Sequence, residues 1–358
     1  MKIAILQGKR SAPACGVADH SVQLAEALNQ RNDVILIYVD WSELGWLRAM
    51  FALHKQYRSN SRDWAVLQFT PLGWSDHGFP FGALMVAIVT RLSGVKLATI
   101  MHDPIAFTGT RLRDVLRRHT QQVVMRGLVS CVHVSFVTLE PGKLPWADNR
   151  LRSRLIQLPV GSNFPSPVND TLGVERSSFT VLVFGISKGQ EGREADEIAT
   201  IMKTVSSEVN GTRLIVMGNG SQSVGALFGQ LLADANIDVT TTGVIAAERI
   251  GQWLCDGDAL LFVRGVVSAR RGTVIAAISH SLPIVGYQGS ETGWPVTEAG
   301  VALAARGNWM ELATALIRLA KDSTWRESSR LLSRKAFEQY FNWDGIAHRM
   351  ELELGRGR

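Results

Sequence analysis

Short runs of β-branched and aliphatic residues alternate with longer amphipathic stretches along almost the whole chain. That alternation is the signature of parallel sheets covered by helices on both faces. In the first half, apolar runs at 2–6, 33–39, 64–69, 95–101, 131–137 and 154–158 predict six strands with helices between them. The stretch 158–175, LPVGSNFPSPVNDTLGVE, carries three prolines, two glycines and two asparagines and reads as a linker. Beyond it, runs at 179–184, 212–217, 237–241, 258–263 and 283–287 predict five more strands, with helical sequence from 308 onward. The expected fold class is α/β, two Rossmann-like doubly wound domains facing a central cleft, with the chemistry in loops that follow strands.

Composition adjusts this picture only slightly. A chain of 358 residues with 46% hydrophobic and 20% charged residues is globular and long enough for two cores. Cys15, Cys131 and Cys255 lie more than a hundred residues apart, so neither a disulfide framework nor a zinc site is expected, and a reducing compartment fits. The opening run MKIAIL is shorter than a secretory core, and GALMVAIVT reaches about half a bilayer span. The expected location is cytoplasmic, free or peripheral on the inner face of the cell membrane. A net charge of +6 and a pI near 9.4 point to anionic partners. With no zinc-finger spacing, no RNA-binding aromatic strand and no basic arm, nucleic acid is not expected among them.

Several loops carry candidate chemistry. After the first strand comes Gly16 at a helix start, where free N–H groups favour an anion; a plain tight turn is the alternative. Past the fourth strand, His102 and Asp103 precede Pro104, and His102 is placed to bond a substrate hydroxyl or move a proton near neutral pH. Gly185, Ser187 and Lys188 follow the first strand of the second half in a loop suited to a diphosphate. Gly218, Asn219 and Gly220 begin like a dinucleotide fingerprint, but the third glycine, Gly225, comes two residues late. Arg264, Arg270, Arg271, Gly272 and Thr273 lead into a helix whose dipole already opposes cations, a conflict that a bound phosphate relieves; a structural salt-bridge cluster is the alternative. Asp256 and Asp258 precede a strand and so belong at the sheet's amino end, away from the cleft. The segment 41–58 sets Trp41, Trp46, Leu47, Met50 and Phe51 among Arg48, Lys55 and Arg58. It reads either as a helix lying on an anionic membrane surface or as a core-facing helix with a snorkelling rim.

In this order the motifs GVADHSVQLAEAL, HDP, PVGSN, FGISKG, LIVMGNG, VRGVVSARRGTVIAAISHSLPIVG and FNWDGIAHRM resemble those of the GT-B glycosyltransferases, and among them glycosyltransferase family 4. The resemblance covers most of the chain. It implies an acceptor-side domain at 1–160, a nucleotide-sugar donor domain at 161–335 and a helix at 336–358 that crosses back to the first domain. It further implies transfer of a hexose from a nucleotide-diphosphate sugar to a sugar or lipid-linked acceptor, with retention and without a metal or other cofactor, in polysaccharide or glycolipid assembly. By position Gly16 looks like the family's glycine beside the diphosphate, His102 like its sugar-contacting histidine and Lys188 like its phosphate-binding lysine. His102, Lys188, Arg270 and Arg271 are the expected catalytic set. Gly16, Gly185, Ser187, Asn219, Arg264, Ser268, Gly272 and Thr273 are expected on the donor, and Asp19 and Asp103 on the acceptor side. One departure stands out: Ser268 and Ala276 occupy the register of the family's two glutamates. That loss makes a non-catalytic relative with an anion site the main alternative; a nicotinamide-dependent oxidoreductase or sugar-nucleotide epimerase is disfavoured by the late Gly225.

Overall fold

The structure, a computed structural model, describes residues 1–9, 16–164 and 178–357. Cys15 and the greater part of the expected linker lie outside that set. The chain divides into two compact units, one formed by Met1–Asn163 with Trp343–Arg358 and the other by Phe164–Asn342.

The first unit is built on a parallel sheet of β1 (Lys2–Gln7), β2 (Asp33–Tyr38), β3 (Trp64–Phe69), β4 (Lys96–Met101), β5 (Val134–Val137) and β6 (Leu155–Gln157), in the order β2-β1-β3-β4-β5-β6. Central strands such as β3, with every side chain buried, read as continuous apolar runs because helices cover both faces. On one face the helices Trp46–Ser59, Phe81–Leu92 and Leu112–Cys131 share a single core. On the other, Gly16–Asn29 packs beside the terminal helix Trp343–Arg356, with Leu24, Leu28, Ile346 and Met350 fully or almost fully buried. The Leu112–Cys131 helix takes the first residue of the expected strand at 131–137, and the strand starts three residues late, at Val134.

The second unit holds β7 (Phe179–Phe184), β8 (Thr212–Met217), β9 (Ile237–Thr241), β10 (Ala259–Phe262), β11 (Ile284–Tyr287) and β12 (Val301–Ala304), again all parallel, in the order β12-β11-β10-β7-β8-β9. Five of these match the sequence reading. The sixth, β12, was not expected: VALA is short, rich in alanine and mostly half-buried at the sheet edge, so it lacks the apolar contrast that marks an interior strand. Asp258 lies just before β10, where it accepts the Thr180 N–H at 2.9 Å and faces Arg330 at 3.5 Å. It is a fastener for the amino end of the sheet, as its position before the strand implied.

The two strand orders determine where loops can converge. In each sheet the connections reverse direction once, between β1 and β3 in the first and between β7 and β10 in the second. Loops that leave adjacent strands at such a reversal diverge to opposite faces and open a crevice at the carboxyl ends.

Candidate functional site

In the second unit, the loops after β7 and β10 flank the crevice and contain most of the residues expected on the donor. The first begins at Gly185, whose φ of +81° is left-handed backbone that glycine adopts without strain. A Cβ there would stand 2.1 Å from the Nη1 of Arg264, so the missing side chain is also what admits the guanidinium. Arg264 Nη1 donates to the Phe184 carbonyl at 3.4 Å. The loop is pinned to its neighbours: Gly185 N–H donates to Met217 O at 2.7 Å, Ile186 N–H to Asn219 O at 2.9 Å, and Ser187 N–H to the buried Glu194 carboxylate at 2.8 Å. Lys188 extends from this anchored loop and is exposed, as is Asn219. Gly185, Arg264 and Asn219 thus converge, while Lys188 and Ser187 are presented beside them.

The loop after β10 turns through Ser268, whose carbonyl accepts the Arg271 N–H at 3.1 Å. Arg271 is the N-cap residue of the helix Gly272–Ser279, with no acidic residue in its first turn. No described atom lies within 4 Å of where a Cβ would stand on Gly272, nor on Gly16 at the other helix start. Both glycines open a helix, at Gly16–Asn29 and Gly272–Ser279.

Arg270, expected on a phosphate with a structural salt-bridge cluster as the alternative, forms a two-pronged ion pair with Glu291, Nε to Oε2 at 2.8 Å and Nη2 to Oε1 at 2.7 Å, with both side chains largely buried. Ser268 Oγ donates to the same carboxylate at 3.4 Å. Burial alone would raise the Glu291 carboxyl, but Arg270, then Arg271 and Ser268, hold it below the ordinary carboxylate value. Glu291 is delivered by the loop after β11. Thr292 Oγ1 accepts the Gly289 N–H at 3.0 Å and donates to Val267 O at 2.6 Å, strapping that loop to the one after β10. A carboxylate therefore reaches Ser268 from 23 residues further along the chain.

At the carboxyl ends of β1, β3 and β4 the first unit gathers a different set. His102 is buried, and its Nε2 meets Gln68 Oε1 at 2.6 Å. His20, from the Gly16–Asn29 helix, sets its ring 4.5 Å from that of His102 and 4.9 Å from Trp343, both edge to face. Trp343 is held in turn by its indole N–H, which donates to Ser162 O at 2.6 Å, and by Gly161, where a Cβ would strike the ring. Three buried atoms of this cluster, His20 Nδ1, Gln7 Oε1 and Gln68 Nε2, find no hydrogen-bond partner among the described residues. Burial lowers His102 to about 4, and burial together with the His102 ring puts His20 well below its ordinary value. Both imidazoles are neutral at pH 7. His102 thus accepts and donates hydrogen bonds, and the proton transfer near neutral pH expected of it is not supported. Asp103 is half-buried next to it, and Asp19 is exposed on the first turn of its helix.

His20, Gln7, Gln68 and Glu291 were not singled out in the sequence. His20 stands four residues past Gly16, on the helix face that also buries Leu24 and Leu28, a spacing that signals an inward histidine. For Glu291 no local signal exists.

No protein-family model and no curated protein matches the chain. Solved structures do. The chain is similar to HepE of Anabaena in complex with UDP (TM-score 0.67, 14% identity, 99% of this chain and 100% of that one). It is also similar to a sucrose-phosphate synthase of Thermosynechococcus elongatus (TM-score 0.69, 16% identity, 99% and 98% covered). A Listeria monocytogenes protein assigned as a UDP-N-acetylglucosamine 2-epimerase matches at TM-score 0.62 and 12% identity, with 98% and 94% covered. Two six-stranded parallel sheets with flanking helices, matched over nearly the full length of such proteins, make this a chain with the GT-B fold of two Rossmann-like domains.

Proposed function

We propose that the protein is a glycosyltransferase that moves a hexose from a nucleotide-diphosphate sugar to an acceptor hydroxyl, in polysaccharide or glycolipid assembly. The reading takes the reaction as retaining and in need of no metal. The observation that carries it is that each unit ends its own sheet in polar groups of a different kind: cations and helix N–H groups in one, a buried neutral cluster in the other. A leaving diphosphate gains negative charge as the glycosidic bond breaks, so cations fixed in advance favour the transition state over the ground state. Lys188, Arg270 and Arg271 supply them, with the N–H groups at Gly272 and Thr273 and those of the Gly185–Ser187 loop. Glu291 holds the Arg270 fork in one orientation, which limits the reorganisation needed when the charge develops. His102, neutral and backed by Gln68, bonds the donor sugar, and Asp19 and Asp103 lie on the acceptor side. The HepE structure with UDP supports a nucleotide ligand for this fold.

The epimerase with the same fold makes the test specific. The purified protein is offered a panel of UDP-, GDP- and ADP-sugars with and without a cell-envelope glycan extract. Acceptor-dependent release of nucleoside diphosphate is the expected result. Conversion of the sugar without acceptor would replace transfer by epimerisation, and donor binding without any turnover would mark a non-catalytic relative.

A further inference from the structure

The helices Trp46–Ser59, Phe81–Leu92 and Leu112–Cys131 lie side by side and bury their inner faces in one core, through residues such as Met50, Val86 and Met125. Their outer faces consequently point the same way. Contact between them is close: Gly82 admits the Trp46 ring, and Gly127 lies against Leu84. Outward from the first helix project Leu47 at 84% exposure and Phe51 at 71%. On the second, Phe81, Ile88 and Leu92 follow one another at seven and four residues, a single exposed stripe, with Leu92 at 80%. The third presents Leu112 at 87%, then Leu116 and Val123 on the same side. Isolated exposed apolar residues are ordinary, but three adjacent helices exposing an apolar stripe toward the same side are not.

Charge on these helices is equally one-sided. Together they carry eight arginines and lysines and one acidic residue, Asp114, which lies 3.8 Å from Arg117. That excess is greater than the net charge of +6 of the entire chain, so the remainder is slightly acidic. Arg48, Lys55, Arg58 and Arg113 are exposed among the apolar tips. Arg91, Arg117 and Arg126 donate to backbone carbonyls of the same unit and keep their charge.

We infer that this three-helix face docks on an anionic lipid bilayer, with the apolar tips at the headgroup boundary and the basic side chains on lipid phosphates. Apolar tips interleaved with basic groups and almost no acid are what an interfacial helix requires. A protein partner matched to the same face would need a dense acidic counterpart around every apolar contact, since charged residues are depleted from the cores of protein interfaces. The inference extends the membrane reading of 41–58 from one helix to a face of the first unit, and it stands or falls independently of the transfer reaction.

The test is sedimentation of the full chain at low salt with phosphatidylcholine vesicles that do or do not contain phosphatidylglycerol. Wild type is expected to pellet only with the anionic vesicles. A basic residue near such a surface contributes about fivefold in partitioning, so the triple variant Arg48→Glu, Lys55→Glu, Arg113→Glu should bind at least roughly a hundredfold more weakly. Phe51→Ser with Leu92→Ser should lose at least about tenfold at unchanged melting temperature, since both side chains already face water. Three results would overturn the proposal: wild type that stays in the supernatant with anionic vesicles, variants that pellet as well as wild type, or a wild-type dimer in gel filtration that Phe51→Ser makes monomeric.

Discussion

The two units end their sheets in opposite ways. At the carboxyl ends of β1, β3 and β4 the buried polar groups include His20, His102, Gln7 and Gln68, with both imidazoles neutral at pH 7. At the ends of β7 and β10 they are guanidinium groups, an exposed lysine and a helix N-terminus, partly accessible and strongly positive. A buried neutral cluster can recognise hydroxyls by direction but has no charge to hold a phosphate. A cationic loop system does the reverse, attracting an anion with less demand on direction. Under the proposed reaction, the first set suits sugar hydroxyls and the second suits the diphosphate. The contrast also explains why only the second needs a carboxylate such as Glu291: a guanidinium pulled from bulk water requires a partner to be kept in place.

Removing the cations should break the contrast most severely. Arg271→Ala is expected to lower turnover by about a hundredfold or more, with Arg270→Ala close behind, as for other groups that stabilise charge in a transition state. Near-normal rates for both variants in a steady-state assay would leave the cationic half without its proposed role. The neutral half is probed by pH. With His102 lowered to about 4 in the folded chain and an ordinary value of 6.5, the unfolded state binds the proton first as pH falls. Stability should thus be complete above pH 6.5 and decline toward pH 4, by on the order of 3 kcal/mol for His102, with His20 adding in the same direction. Urea midpoints followed across that range by tryptophan fluorescence check this, and His102→Gln should flatten the profile.

Smaller effects sharpen the role of Glu291. Glu291→Gln keeps the shape but removes the charge that orients Arg270, and about a tenfold loss in kcat is expected, in the range of groups that position a site without touching its ligand. Combined with Arg270→Ala it should add little further loss, and full additivity in that double-mutant cycle would show the ion pair to be irrelevant to turnover. Smallest is Gly185→Ala, where left-handed backbone and the adjacent Arg264 both resist a methyl group. It should cost about 1 to 2 kcal/mol of stability, read by thermal denaturation.

The fold was legible because period and spacing are local properties. Eleven of the strands announced themselves as apolar runs, and β12 escaped because an edge strand of small residues has little contrast with its surroundings. Site residues that follow strands, among them Gly16, His102, Gly185 and Arg264, could be located for the same reason: once strands are known, their carboxyl ends are known. His20 was within reach through its helical spacing.

The order of strands, the state of the histidines and the partner of Arg270 belong to the tertiary structure. Sequence alone determined which segments become strands and helices, how many sheets they make and where positive charge gathers, since each depends on neighbours a few residues apart. It could not say that a carboxylate from beyond β11 would close on Arg270, because that contact spans 21 residues and exists only once β10 and β11 pair. Nor could it say that His102 would be neutral, since its proton affinity depends on how much water the surrounding strands and the terminal helix exclude. Chain-local patterns set the architecture; electrostatic character came from what packing brought together.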